Sequence, residues 1–127
     1  MPQAFFVKRI LVVDDYEGLA EMLATSLMDV IDIPLSIDIG VDGVEALSLA
    51  IEDPPAVAIL DLDMPEMNGT EAAIAIRAAL PHAVPLMIAI TGDPTRLADA
   101  GEAFDHVLLK PVDIERLAAL VEAAESA

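Results

Sequence analysis

Cysteine and tryptophan are absent from this 127-residue chain, and only four residues, three Phe and one Tyr, are aromatic. Without cysteine there are no disulfides and no thiolate metal ligands, which fits a reducing compartment such as the cytoplasm. Because rings are so few while 56% of the residues are hydrophobic, the core has to be aliphatic. Cations are scarce too: six Lys and Arg stand against 23 Asp and Glu, a formal net charge of −17. That balance argues against nucleic acid or an anionic membrane as a partner. It suits a soluble protein that gathers cations and meets proteins bearing basic patches. No apolar run approaches membrane-spanning length. Lys8 and Arg9 precede only four apolar residues, too few for the core of a secretory signal. The length is that of one domain able to bury a core without staples, and no repeat, low-complexity tract or linker divides it.

What is present alternates. Apolar runs at 10–13, 56–60, 86–90 and 107–109 read as strands buried on both faces. "LSIDIG" at 35–40 alternates apolar and polar residues, as a half-exposed edge strand does. Helical stripes lie between, among them Leu19, Met22, Leu23 and Leu27, and later Ile114, Leu117, Ala118 and Val121. Asp42 with Glu45 and Asn68 with Glu71 are spaced as capping pairs, and Asp93-Pro94 is an N-cap followed by Pro at the first helical position. Five strands alternating with five helices predict an α/β fold with a doubly wound parallel sheet.

In such a sheet, functional groups collect beyond the carboxyl ends of the strands, where strand order reverses. The residues ending the buried runs are Asp14-Asp15, Asp61, Thr91 and Lys110. Each alone is ordinary. Asp15 could cap the first helix, Thr91 could satisfy a loop backbone group, and Lys110 could be a solvated strand-end charge. Together, three carboxylates, a hydroxyl and an amine fit phosphoryl transfer to a carboxylate. Asp61 is the candidate nucleophile. Mg²⁺ among Asp14, Asp15 and Asp61, with Lys110, would neutralise the phosphoryl oxygens, and the Thr91 hydroxyl would donate to one of them. Two adjacent carboxylates after an apolar run need a positive partner, and with so few cations in the chain a metal is expected to supply much of it.

"LVVDD", "AILDLDMPEMNG", "IAITGD" and "LLKPVD", in that order, resemble the receiver domain of two-component response regulators over essentially the whole chain. The resemblance implies a flavodoxin-like fold with strand order 2-1-3-4-5. It implies phosphorylation of Asp61 by a sensor histidine kinase or a histidine phosphotransfer protein, onto a cytoplasmic protein that catalyses only its own phosphorylation and dephosphorylation. It further implies that Asp15 ligates Mg²⁺ directly, that Asp14 acts largely through water, and that the backbone carbonyl of Asp63 is a further ligand. Thr91 and Lys110 then sense the phosphoryl group, and Lys110-Pro111 is expected to be cis. The expectation is one receiver domain over 1–127, with no effector domain.

Three features depart from the family pattern. The position three before the lysine, usually aromatic, is Val107, and the Thr91-to-Lys110 interval is shorter than usual by about three residues, nearly one helical turn. The shortened piece is the fourth helix, "PTRLADAGE", so these two features bear on the output surface. Asp63 adds a carboxylate two residues past the nucleophile. Met64 and Met67 are expected to pack the loop. Two other classes share part of this pattern. "ILDLDMP" also fits the Asp-x-Asp nucleophile of haloacid-dehalogenase-type phosphatases, but there the acidic metal pair follows the lysine, whereas here it comes first. A receiver-like scaffold that binds partners without phosphorylation would not need the complete site.

Overall fold

The computed structural model describes residues 7–64 and 66–124; Pro65 and both ends of the expected 1–127 domain lie outside the described residues. The elements alternate as β1 (Lys8–Val13), α1 (Glu17–Val30), β2 (Leu35–Gly40), α2 (Gly43–Glu52), β3 (Val57–Asp61), α3 (Gly69–Ala79), β4 (Leu86–Thr91), a 3-10 segment (Pro94–Ala103), β5 (His106–Leu109) and α4 (Ile114–Ala123). All four strand pairings are parallel, in the order β2-β1-β3-β4-β5. The sheet is therefore the doubly wound one expected, with β2 at the edge.

Alternation along each strand sends side chains to two separate aliphatic layers. Leu11, Val13, Ala58, Leu60, Met87 and Ala89 face α2, α3 and the 3-10 segment. Ile10, Val12, Val57, Ile59, Ile88 and Ile90 face α1 and α4. On α4 the expected stripe buries Leu117, Ala118 and Val121. On α1 one expected member is misplaced: Ala20, Leu23, Ala24 and Leu27 are buried, while Met22 is 56% exposed. Small alanines hold the face that brings the helix against the sheet, and Met22 falls on the other side.

Asn68 and Glu71 form a full capping box at α3, and the Asp42 carboxylate accepts from the Glu45 N–H at α2. Met64 is buried and Met67 packs against the core, as loop-packing residues.

The fourth expected helix is different. Residues Pro94–Ala103 form 3-10 turns interrupted at Gly101, whose φ of 53° is left-handed. A 3-10 helix rises about 2.0 Å per residue against about 1.5 Å for an α-helix, so a shortened connection covers more of the crossing in this form.

Lys8 was not legible as a structural residue. It is buried, and its ammonium donates to the carbonyls of Val121 (2.9 Å), Glu122 (3.1 Å) and Ala124 (2.6 Å), closing the end of α4. The last carbonyls of a helix have no i+4 donor, although Val121 C=O also accepts from the Ala124 N–H at 3.3 Å, and a cation there offsets the helix dipole. Lys8→Met keeps the stem and removes the donors. We expect urea denaturation to show a loss of about 2 kcal/mol, the scale of hydrogen bonds to a charged group; an unchanged midpoint would contradict the clamp.

Candidate functional site

The chain runs from β1 out to β2 at one edge and then returns to β3 on the other side of β1, so strand order reverses between β1 and β3. Asp14 follows β1 and Asp61 ends β3, which places their carboxylates side by side. Both are buried, at 0% and 3% exposure. Each is oriented by the backbone that follows it. Asp14 Oδ1 accepts from the Tyr16 N–H at 2.9 Å, and Asp61 Oδ1 accepts from the Asp63 N–H at 3.0 Å.

Lys110, just past β5, reaches across to both. Its Nζ lies 2.9 Å from Asp14 Oδ2 and 3.4 Å from Asp61 Oδ2. The cation facing the acidic pair is thus a lysine of this chain, where the scarcity of cations had pointed first to a metal. One ammonium does not discharge three carboxylates. Asp14, Asp15 and Asp61 each bring an oxygen within 4.8 Å of the others. Asp14 Oδ2 has the ion pair with Lys110 but no aligned hydrogen bond, although it is buried. An all-oxygen, net-negative cluster containing such an atom fits a hard divalent cation.

The electrostatics follow from burial. Asp61 is pushed up from 3.8 to about 6, first by loss of water, with Asp14 adding repulsion and the Asp63 N–H and Lys110 opposing. Burial works against the Lys110 ammonium, but the contacts to Asp14 and Asp61 outweigh it and hold the amine above its ordinary value.

The other expected residues are placed less uniformly. Asp15 is exposed and joins the cluster from the solvent side. It does not cap α1: the cap position is Tyr16 with no side-chain bond, and the turn is held by Asp14 instead. Thr91 is fully buried, yet its hydroxyl is engaged with the Asp93 backbone, accepting from N–H at 3.1 Å and donating to C=O at 3.4 Å. In this state it serves the loop. Lys110-Pro111 is cis, as expected. Val107 is half-buried against the α2–α3 side of the core. Asp63 turns its carboxylate outward to Arg96, a pairing the sequence reading missed; Arg96 also holds Asp99. The available signal was local, an Arg–Asp pair three residues apart beside the site loop.

The loop after β3 has little room to move. A Cβ on Gly69, the first residue of α3, would lie 2.2 Å from the Asp61 carbonyl oxygen and 3.0 Å from Leu62 Cα. Both neighbours are backbone and cannot rotate away. Gly69→Ala is therefore expected to cost roughly 1–3 kcal/mol, the range for overpacking, and to displace Asp61. Thermal melts together with phosphorylation assays check this, and a variant matching the parent in both would contradict it.

Fold and site together define the class: a doubly wound α/β domain with a lysine-paired, buried aspartate at its switch point. Residues 10–122 match the family described as the response regulator receiver domain, and the chain belongs to that family. Its curated relatives include the response regulator MprA of Mycobacterium avium (strain 104), 33% identical over 117 residues, which cover 91% of this chain and 50% of that protein. The chain thus spans about half the length of the curated relatives it matches. Among solved structures, a CheY-like receiver domain from Methylobacillus flagellatus is 26% identical with a TM-score of 0.83, covering 94% of this chain and 100% of that one. The receiver domain of AraT, a response regulator from Geobacillus stearothermophilus, is 33% identical with a TM-score of 0.74, covering 92% of each chain. A DNA-binding response regulator of the LuxR family from Staphylococcus aureus is 25% identical with a TM-score of 0.78, covering 91% of this chain and 97% of that one. The chain is a receiver domain of two-component signalling, and the phosphatase alternative is not favoured. No helix among the described residues is long and apolar enough to cross a membrane.

Proposed function

We propose that Asp61 accepts a phosphoryl group from the phosphohistidine of a sensor kinase or histidine phosphotransfer protein. The observation that carries this reading is the buried Asp61 carboxylate, held by the Asp63 N–H at 3.0 Å and facing Lys110 Nζ at 3.4 Å. An Asp61 oxygen attacks phosphorus, the phosphorus–nitrogen bond to the donor imidazole breaks, and an acyl phosphate forms. Lys110 stabilises charge on the transferring oxygens. The Thr91 hydroxyl leaves the Asp93 backbone and donates to the phosphoryl group.

Mg²⁺ is the cation we assign to the cluster, held by Asp14, Asp15 and Asp61 with the Asp63 carbonyl as a further ligand. When bound, it neutralises charge on the phosphoryl oxygens. The protein then acts on its own phosphorylation and dephosphorylation only, and does not turn over a separate substrate. The net charge of −17 supports signalling through protein contacts in the cytoplasm, without nucleic acid or membrane contact by this domain.

The test is phosphorylation by acetyl phosphate with Mg²⁺, read by intact mass. The parent is expected to gain one phosphoryl group and Asp61→Asn none. Equal labelling of that variant would move the acceptor elsewhere, and an unlabelled parent would favour the scaffold.

A further inference from the structure

Asp63 occupies an awkward place. Its N–H fixes the candidate nucleophile, while its side chain adds a negative charge beside three carboxylates that already crowd one another. Leu62 and Met64, on either side, point inward and are buried, so the Asp63 carboxylate is sent outward. There it meets the guanidinium of Arg96, from the 3-10 segment after β4. Among the described residues this is the ion pair that the Asp63 side chain makes.

Arg96 is itself held. Its Nε donates to Asp99 Oδ2, three residues on, and the Asp99 carbonyl accepts from the Thr70 hydroxyl in the first turn of α3 at 3.2 Å. The contacts form a circuit from Asp61 through the Asp63 backbone and side chain to Arg96, then Asp99, then Thr70. Gly69, the neighbour of Thr70, lies against the Asp61 carbonyl and closes it. Asp99 above all, with Asp63, holds the guanidinium more firmly protonated than usual.

We propose that Arg96 is a positioning residue for phosphoryl transfer. By fixing the Asp63 side chain it fixes the Asp63 N–H, and through that bond the direction of Asp61 Oδ1. This role rests on Asp61 being the acceptor. The pair is partly exposed, and such pairs contribute little to global stability, so its effect belongs to loop geometry rather than to the melting temperature. A planar guanidinium bridging two carboxylates suits that task better than a flexible ammonium.

The experiment compares the parent with Arg96→Gln, Arg96→Lys, Asp63→Asn and the double variant Arg96→Gln/Asp63→Asn. Acetyl phosphate kinetics with Mg²⁺ give the maximal rate and the half-saturating donor concentration separately. Amide hydrogen exchange at Asp63 is read in the same proteins without donor. Arg96→Gln is expected to lower the maximal rate roughly three- to tenfold, well below the about 100-fold that a 1 Å misplacement can cost. Half-saturation should be little changed, the Asp63 amide should exchange faster, and the melting midpoint should be unaltered. Arg96→Lys should recover part of the rate, and the double variant should be no slower than the worse single one.

Four kinetic results would overturn the proposal. They are an unchanged rate in Arg96→Gln, an effect confined to half-saturation, additive losses, or full recovery of Arg96→Gln by Asp63→Asn. The last would make Arg96 a mere charge neutraliser. If the parent itself took no label, the acceptor assignment would fail. Unchanged Asp63 exchange in Arg96→Gln would separately refute the positioning contact.

Discussion

Asp61→Asn is expected to melt higher than the parent in metal-free buffer at pH 7, by on the order of 5–10 °C. Asp61 titrates near 6 in the folded protein against 3.8 for a free side chain, chiefly because it is buried. Between those values the folded state keeps a proton that the unfolded state has released. Folding stability therefore falls as pH rises from about 4 to about 6 and stays lowered above that. Two units of displacement correspond to roughly 3 kcal/mol. An amide has nearly the same shape and no charge to desolvate, so it escapes most of that penalty. The parent should also lose stability across pH 4 to 6 more steeply than Asp61→Asn, with Mg²⁺ narrowing the difference. Saturating cation at ten times its dissociation constant adds about 1.4 kcal/mol to the form that binds it. Melts from pH 4 to 8, with NaCl at matched ionic strength, check this, because simple screening would make the salts equivalent. Matching pH profiles in the two proteins would contradict the buried-charge account.

The opposite sign is expected at Lys110. Its ammonium is the protein cation beside Asp14, whose side chain is fully buried. Lys110→Met leaves that carboxylate, and Asp61 with it, facing no positive group among the described residues. Breaking a buried pair by removing one partner costs about 3–5 kcal/mol, more than removing both. Part of this is recoverable, because a carboxyl in the variant can take up a proton. The deficit should therefore shrink as pH falls toward 5 and should also shrink with Mg²⁺. Phosphorylation should be slower by roughly 10²–10³, the scale for losing one group that stabilises transferring oxygens. Denaturant titrations at pH 5 and 8 measure the first effect and acetyl phosphate kinetics the second. A variant as stable as the parent at pH 8 would show that the pair stabilises nothing.

How far the sequence carried these conclusions differed from residue to residue. Asp14, Asp61 and Lys110 were legible because each ends an apolar run, and parallel strands in one sheet deliver their carboxyl ends to one crevice. The caps at Asp42 and Asn68 were legible because their partners lie three residues away. Contacts across long separations were not. The Lys8 clamp joins residues 113 or more apart, and the bond from Arg96 to Asp63 spans 33. Neither has a periodic signature. Thr91 was read by position alone, which could not tell that its hydroxyl serves the Asp93 backbone in this state. The segment after β4 was visibly short, but 3-10 and α-helix share their starting signals, Asp93 and Pro94 included. Gly101 was the sign that the helix would break.

The central claim, that Asp61 is the phosphoacceptor, has a direct chemical test. Phosphoryl transfer from a phosphorylated histidine kinase or phosphotransfer protein, followed by borohydride reduction and peptide mass mapping, should convert residue 61 to homoserine. The conversion should require Mg²⁺ and appear at no other aspartate. Reduction at Asp14, Asp15 or Asp63 instead, or none at residue 61 in a chain that had taken up phosphate, would contradict the account.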